Sequence, residues 1–210
     1  MAYQRPGRET IMTALLNTLV AALQTSFTAN TTQGSTTLAA PSTTNGLFIG
    51  LPVFGVGIPR GAVITQITPT LTLDQPATAN GNAVALTTGF MTFSRRFKFW
   101  GDVTEQPALF LRDGDEELTY PQTQLQEQII KAEVWIYSRA GANPDIAPIV
   151  GLNNLLDAVQ SALQPDNPAE YMFTLGGLVF WCRMIGKVQK DPGDLDGQAI
   201  AVAEVEIIVP

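Results

Sequence analysis

The chain has no histidine. That absence removes Ser/His/Asp and Cys/His nucleophilic sites, imidazole general bases and most zinc and transition-metal sites together. There is one cysteine, Cys182, so no disulfide can close within the chain, and its place in an apolar run reads as a small buried hydrophobe. Basic residues are scarce, 12 Lys and Arg against 19 Asp and Glu, for a net charge of −7. A protein that grips nucleic acid through its phosphates needs a basic surface, so this balance argues against that class. Long apolar runs are missing too. The run after the charged start is broken by Thr10, Thr13, Asn17 and Thr18, so the sequence predicts a soluble chain with no signal peptide and no membrane span. Carboxylate chemistry stays open.

A hydrophobic share of 45% over 210 residues suffices for one domain plus a small addition. The strongest pattern is C-terminal. In residues 178–188, Leu178, Phe180, Cys182, Met184 and Val188 share one parity while Arg183 and Lys187 take the other, the period of a half-buried strand. In residues 199–209, Ala199, Ala201, Ala203, Val205, Ile207 and Val209 alternate with a side carrying Glu204 and Glu206. Asp191-Pro192-Gly193 and Asp196-Gly197 between them let the chain reverse, which predicts an antiparallel pair.

Upstream, residues 8–27 read as an amphipathic helix with Ile11, Leu15, Leu19 and Leu23 on one face. The composition then shifts. Residues 28–89 hold only Arg60 and Asp74 as charges, and short β-prone runs (47–53, 62–68, 71–73, 83–87) alternate with Gly and Pro punctuation. This predicts a small all-β module spliced between 1–27 and 90–210, with Thr28 and Gly89 close together. Residues 90–99 and 107–112 predict short strands, Asp113-Gly114 a turn, and 122–139 a long central strand. Leu152, Leu155, Leu156, Val159 and Leu163 predict a second helix, capped by Asp145 and stopped by Pro165. The predicted class is α+β: an antiparallel sheet flanked by two helices, plus the inserted all-β domain.

Candidate chemistry is thin. Asp113, Asp115, Glu116 and Glu117 form an acidic run that reads as a solvated turn. Asp191, Asp194 and Asp196 before Gly197 fail the spacing of a calcium loop. Gly176-Gly177 lacks the third glycine and the strand-then-helix setting of a dinucleotide turn. Arg95, Arg96 and Lys98, interleaved with Phe97, Phe99 and Trp100, fit either a subunit interface with salt bridges or, less well in so acidic a chain, a nucleic-acid surface. Trp135 and Tyr137 on the far face of the central strand fit cross-strand packing or a protein interface. No catalytic constellation, cofactor or metal is expected.

The order of the leading helix, the Phe-rich strand, Gln106-Pro107-Ala108-Leu109-Phe110, Val134-Trp135-Ile136-Tyr137, Leu152-Asn153-Asn154-Leu155-Leu156-Asp157-Ala158, Leu175-Gly176-Gly177-Leu178-Val179, Gly197-Gln198-Ala199-Ile200-Ala201 and the closing Ile207-Ile208-Val209-Pro210 resembles the tail terminator proteins of long-tailed bacteriophages, the lambda-type minor tail family. The likeness covers residues 8–27 and 90–210. Residues 28–89 depart from it and look like a β module found in phage structural proteins, suggestive of an exposed decoration. The resemblance implies a non-enzymatic virion protein, assembled in the host cytoplasm: a homo-hexameric ring at the head-proximal end of the tail. Such a ring meets the tail tube protein on one side and a head–tail connector or stopper on the other, and DNA passes through it without specific binding. On that basis Asp113, Asp115, Glu116 and Glu117 are expected at the channel or its mouth, and Arg95, Arg96, Lys98, Trp135 and Tyr137 at subunit or partner contacts. The alternatives are another head–tail joining ring, or a binding protein acting through the β module.

Overall fold

The computed structural model describes residues 5–119, 127–139, 149–165, 173–193 and 197–209. In chain order its elements are α1 (Arg8–Ala21), β1 (Ser26–Thr31), β2 (Thr37–Leu38), β3 (Val53–Gly55), β4 (Ile64–Gln66), β5 (Leu71–Leu73), β6 (Gly81–Thr88), β7 (Thr92–Ser94), a 3-10 turn (Trp100–Asp102), β8 (Ala108–Thr119), β9 (Glu127–Arg139), α2 (Val150–Ala162), β10 (Trp181–Asp191) and β11 (Gln198–Val209). The class is mixed α+β.

The largest sheet has the order β10-β11-β9-β8-β7. Strand β11 lies antiparallel to both β10 and β9, in unbroken register with β9 from Gln198↔Arg139 to Val209↔Gln128. Alternation along these strands decides which face is dry. Ala199, Ala201, Ala203, Val205, Ile207 and Val209 are buried, as are Ile130, Ala132, Val134 and Ile136 of β9. Each fully buried Val or Ile contributes about 1.5–3 kcal/mol, and a one-residue slip would send the whole set to water. Helix α2 packs on this face against β9 and β11, and α1 packs against α2. Their buried stripes, Ile11, Leu15 and Leu19 with Leu152, Leu155 and Val159, join the sheet residues in one core.

Residues 26–88 form two small sheets, β1-β6-β3 and β2-β5-β4. Entry and exit are paired: Ser26 lies opposite Thr87 and Thr28 opposite Ala85. Thr88 closes the neck, its backbone N–H donating to the Thr25 carbonyl at 3.0 Å and its hydroxyl to the Leu23 carbonyl at 2.6 Å. Leu38, Leu51, Ile64, Leu71 and Leu86 fill this region, and their core runs on through Phe27 and Leu23 into that of the helices and large sheet.

Four elements differ from the sequence reading. The first helix ends at Ala21, and Ser26 and Phe27, read as its last turn, belong to β1. Pairing with β6 outweighs the helical spacing of Phe27. Asp113-Gly114 is not a turn: β8 runs through it with a bulge between Asp113 and Glu116. A bulge and a turn recruit the same residue types, and a Cβ at Gly114 would lie 2.9 Å from the Lys131 carbonyl oxygen. Strand β7 pairs parallel, not antiparallel, with β8. Strand β10 starts at Trp181, after Phe180, and slips register between Ile185 and Gln189, around Val188; Phe180 and Val188, expected on the buried side, are both exposed. The Asp145 cap, the N-terminal part of the predicted strand 122–139, Asp194 and Asp196 lie outside the described residues.

Candidate functional site

The helices cover one face of the large sheet; side chains of the other point away from them. On that open face Ile129, Lys131, Glu133 and Trp135 of β9 and Ile200, Val202, Glu204, Glu206 and Ile208 of β11 are all half-buried. Its charges are paired across strands. Glu133 and Glu204 stand directly opposite one another, a repulsive arrangement if left alone. Arg112 of β8 reaches Glu133 at 3.4 Å, and Lys131 reaches Glu204 at 3.2 Å. Arg183 of β10 meets Glu206 at 3.3 Å and lies 3.7 Å over the Trp181 ring. Hydrogen bonding to the Glu204 carboxylate, and its charge, hold the Lys131 pKa above its ordinary value. The sequence reading saw Glu204, Glu206 and Arg183 turned outward and missed their partners; the signal was opposite charge at alternate positions of neighbouring strands.

One end of this face is capped by the segment between β7 and β8. Phe97 packs edge-on against Trp135, with ring centroids 4.8 Å apart, and against Phe99 and Phe110. Beneath it Val103, Ala108, Phe110 and Tyr137 form a second, small core. Tyr137, expected at the surface, is 2% exposed: the strap that covers it comes from 39 residues earlier, beyond the reach of a local pattern. Its hydroxyl donates to the Lys98 carbonyl at 2.9 Å, and burial pushes its pKa up to about 12. Trp135 is half-buried, its indole N–H donating to Glu133 at 3.0 Å.

The five residues expected at contacts therefore part company. Arg95 is held inside the subunit, joined to Glu9 of α1 through Nη1 and donating from Nη2 to both carboxylate oxygens of Asp113 at 2.8 Å. Arg96 and Lys98 are exposed, beside Phe99 at 72% and Trp100 at 42% exposure.

The acidic run lies on the exposed stretch of β8. Asp113 is taken by Arg95, and Glu116 by Arg8 at 2.8 Å and by the buried Gln128 amide at 2.9 Å. Asp115 and Glu117 stay exposed, with Glu117 opposite Ile129 of the open face.

Among the described residues, no three His, Cys, Asp or Glu side chains are grouped to hold a metal ion, and no helix is long and apolar enough to cross a membrane. Cys182 is buried, which pushes its thiol up to about 12, the opposite of an activated nucleophile. A shallow polar cleft of about 400 Å³ lies at Thr31, Thr32, Asn80, Gly81 and Asn82, without an ionisable or aromatic side chain. The half-buried apolar and paired charged side chains of the open face suit surface contact. No protein-family model matches the chain, and no curated protein matches it significantly.

Proposed function

We propose that the chain is the tail terminator of a long-tailed bacteriophage: a ring of six copies that caps the finished tail tube, ends its growth and presents its other rim to the head connector or stopper. The observation that carries this reading is the one-sided sheet. A wet face of an antiparallel sheet ordinarily carries polar residues. Here Ile129, Trp135, Trp181, Ile200, Val202 and Ile208 share it with cross-strand ion pairs. Such a mixture of apolar surface, aromatics and ordered charge suits a subunit contact, and a ring covers it on every copy with nothing left over.

In this reading residues 1–27 and 90–210 are the ring-forming domain, a sheet antiparallel except for β7 and flanked by two helices, and 28–89 are an inserted all-β module on its outside. The partners are the tail tube protein, a head–tail connector and further copies of the chain. DNA slides through an acidic ring that does not hold its phosphates, and the protein acts in the virion without cofactor or enzymatic activity.

The test is a phage lacking the gene, examined by electron microscopy. Abnormally long or headless tails are expected. Tails of normal length joined to heads overturn the assignment, and normal tails without heads identify a joining ring that does not terminate the tube.

A further inference from the structure

The open sheet face is charged unevenly along its length. At the end near Ala108 and Tyr137 the strap presents Arg96, Lys98, Phe99 and Trp100. No ion pair or side-chain hydrogen bond holds the Arg96 or Lys98 cation among the described residues, whereas Arg8, Arg60, Arg95, Arg112, Lys131 and Arg183 each hold a carboxylate of the same chain. At the other end stand Asp115 and Glu117, exposed and in no ion pair among the described residues, with Asp115 near enough for its charge to act on Lys131. Beside them Ile129, in register with Glu117, and Ile208, in register with Ile129, supply half-exposed apolar ground.

From Ala108 to Glu117 is about 30 Å of extended strand. The basic, aromatic end and the acidic, aliphatic end of one copy therefore cannot meet each other, yet they are complementary in both respects. We propose that they are mates between copies: the strap of one subunit seats on the acidic end of the next subunit's open face, head to tail. Phe99 and Trp100 cover Ile129 and Ile208, and Arg96 and Lys98 face Asp115 and Glu117. This rests on the ring reading above and names its seam. It assigns Asp115 and Glu117 to the contact between copies in place of the channel wall expected from the sequence.

A second copy fits better than nucleic acid. The strap's two free cations adjoin a face carrying Glu133, Glu204 and Glu206 on a chain of net charge −7, which repels phosphate, while the complementary carboxylates are present on every copy. A heterologous contact of this kind closes into a ring when its rotation allows, and the charges set its register while the rings supply buried area.

The test uses two double variants of the full chain, Arg96→Glu with Lys98→Glu and Asp115→Lys with Glu117→Lys, followed by native mass spectrometry and electron microscopy. Among the described residues all four side chains are exposed and in no ion pair, and Asp115 acts on Lys131 through its charge alone, so circular dichroism should match the parent. Wild type is expected as a hexamer, and each double variant should need at least about tenfold more protein to assemble. An equimolar mixture should restore a six-membered ring of alternating subunits, because every seam in it again joins opposite charges. Variants that assemble like wild type, or folded variants that fail to rescue each other, overturn the seam and leave the ring reading standing. A wild-type chain that stays monomeric, alone and on tails, overturns both. Loss of DNA retention in the strap variant with unchanged assembly overturns the seam in favour of a nucleic-acid contact.

Discussion

The Tyr137 hydroxyl donates to the Lys98 carbonyl oxygen at 2.9 Å across 39 residues of sequence, and this bond stitches the aromatic strap onto the sheet. It sits under Phe97, whose ring is also edge-on to Trp135 and Phe110. The exposed part of the strap, Arg96 and Lys98 to Trp100, is thus presented from a fixed base.

Tyr137→Phe keeps the ring and removes only the donor. The expected cost is about 0.5–1.5 kcal/mol, a typical net hydrogen-bond contribution, read from a urea midpoint. The wider consequence is a looser strap, seen as a weakened near-ultraviolet signal from Trp100 and Trp135. An unchanged midpoint and spectrum count against the stitch.

Alkaline pH should destabilise the fold in a defined window. Burial raises Tyr137 and Cys182 to about 12, from ordinary values of 10.0 and 9.0. Both groups are neutral when protonated, so the folded state keeps protons that the unfolded state has already lost. Their contribution is fully present below about pH 9 and is lost as pH rises from there to about 12. Urea midpoints measured across this range should fall, and Tyr137→Phe should flatten the part above pH 10.

Arg95 and Arg96 are neighbours with opposite expectations. Arg95 links α1 to β8 through Glu9 and Asp113, so Arg95→Met should cost about 0.5–1 kcal/mol, less at high salt, because the pairs are partly exposed. Arg96 holds no carboxylate, and Arg96→Met should change stability by less than about 0.5 kcal/mol. Paired thermal melts in low and high salt separate the two.

Gly193→Ala tests the turn between β10 and β11. Gly193 has φ +77°, and a Cβ there would lie 2.6 Å from the Gln198 carbonyl carbon and 2.7 Å from the Ala199 nitrogen. Backbone, not a flexible side chain, would have to give way, so a loss of about 2 kcal/mol or more is expected. A variant with the parent's melting temperature shows that the turn adopts another geometry.

Removal of residues 26–88, with Thr25 joined to Gly89 through a few Gly and Ser residues, should give a soluble protein that keeps both helices. The Thr88-to-Thr25 bond marks where the chain returns to itself, and long excursions cost little closure entropy. A lowered melting temperature is expected, since Phe27 and Leu86 leave a continuous core. Aggregation under conditions where the full chain is soluble rejects this partition.

Strands β9 and β11 were legible because one face is buried, which forces the period of two into the sequence. The stripe Ile11, Leu15, Leu19 and Leu23 was legible for the same reason at the helical period. What stayed hidden depended on partners far along the chain. Phe27 continues a helical spacing, and only pairing with Leu86 makes it a strand residue. Asp113-Gly114 has turn composition, and only the close backbone of Lys131 makes it a bulge. At the candidate site, the exposure of Arg96 and Lys98 followed from their charge. The burial of Tyr137 and the capture of Arg95 did not, because α1 and β8 supply the Arg95 partners from 86 and 18 residues away.

The register slip in β10 bears on how concentrated solutions of this protein age. Between Ile185 and Gln189 the outermost strand leaves its ladder, with Gly186 at φ +67° and Lys187 exposed. The free rim is cut into two short paired stretches separated by a positively charged step. A foreign strand laid along it finds no continuous row of amides to copy, and every molecule of the same kind brings a like charge to the same spot. Edge-to-edge pairing along β10 is thereby disfavoured, and Lys187→Val should make concentrated solutions aggregate sooner.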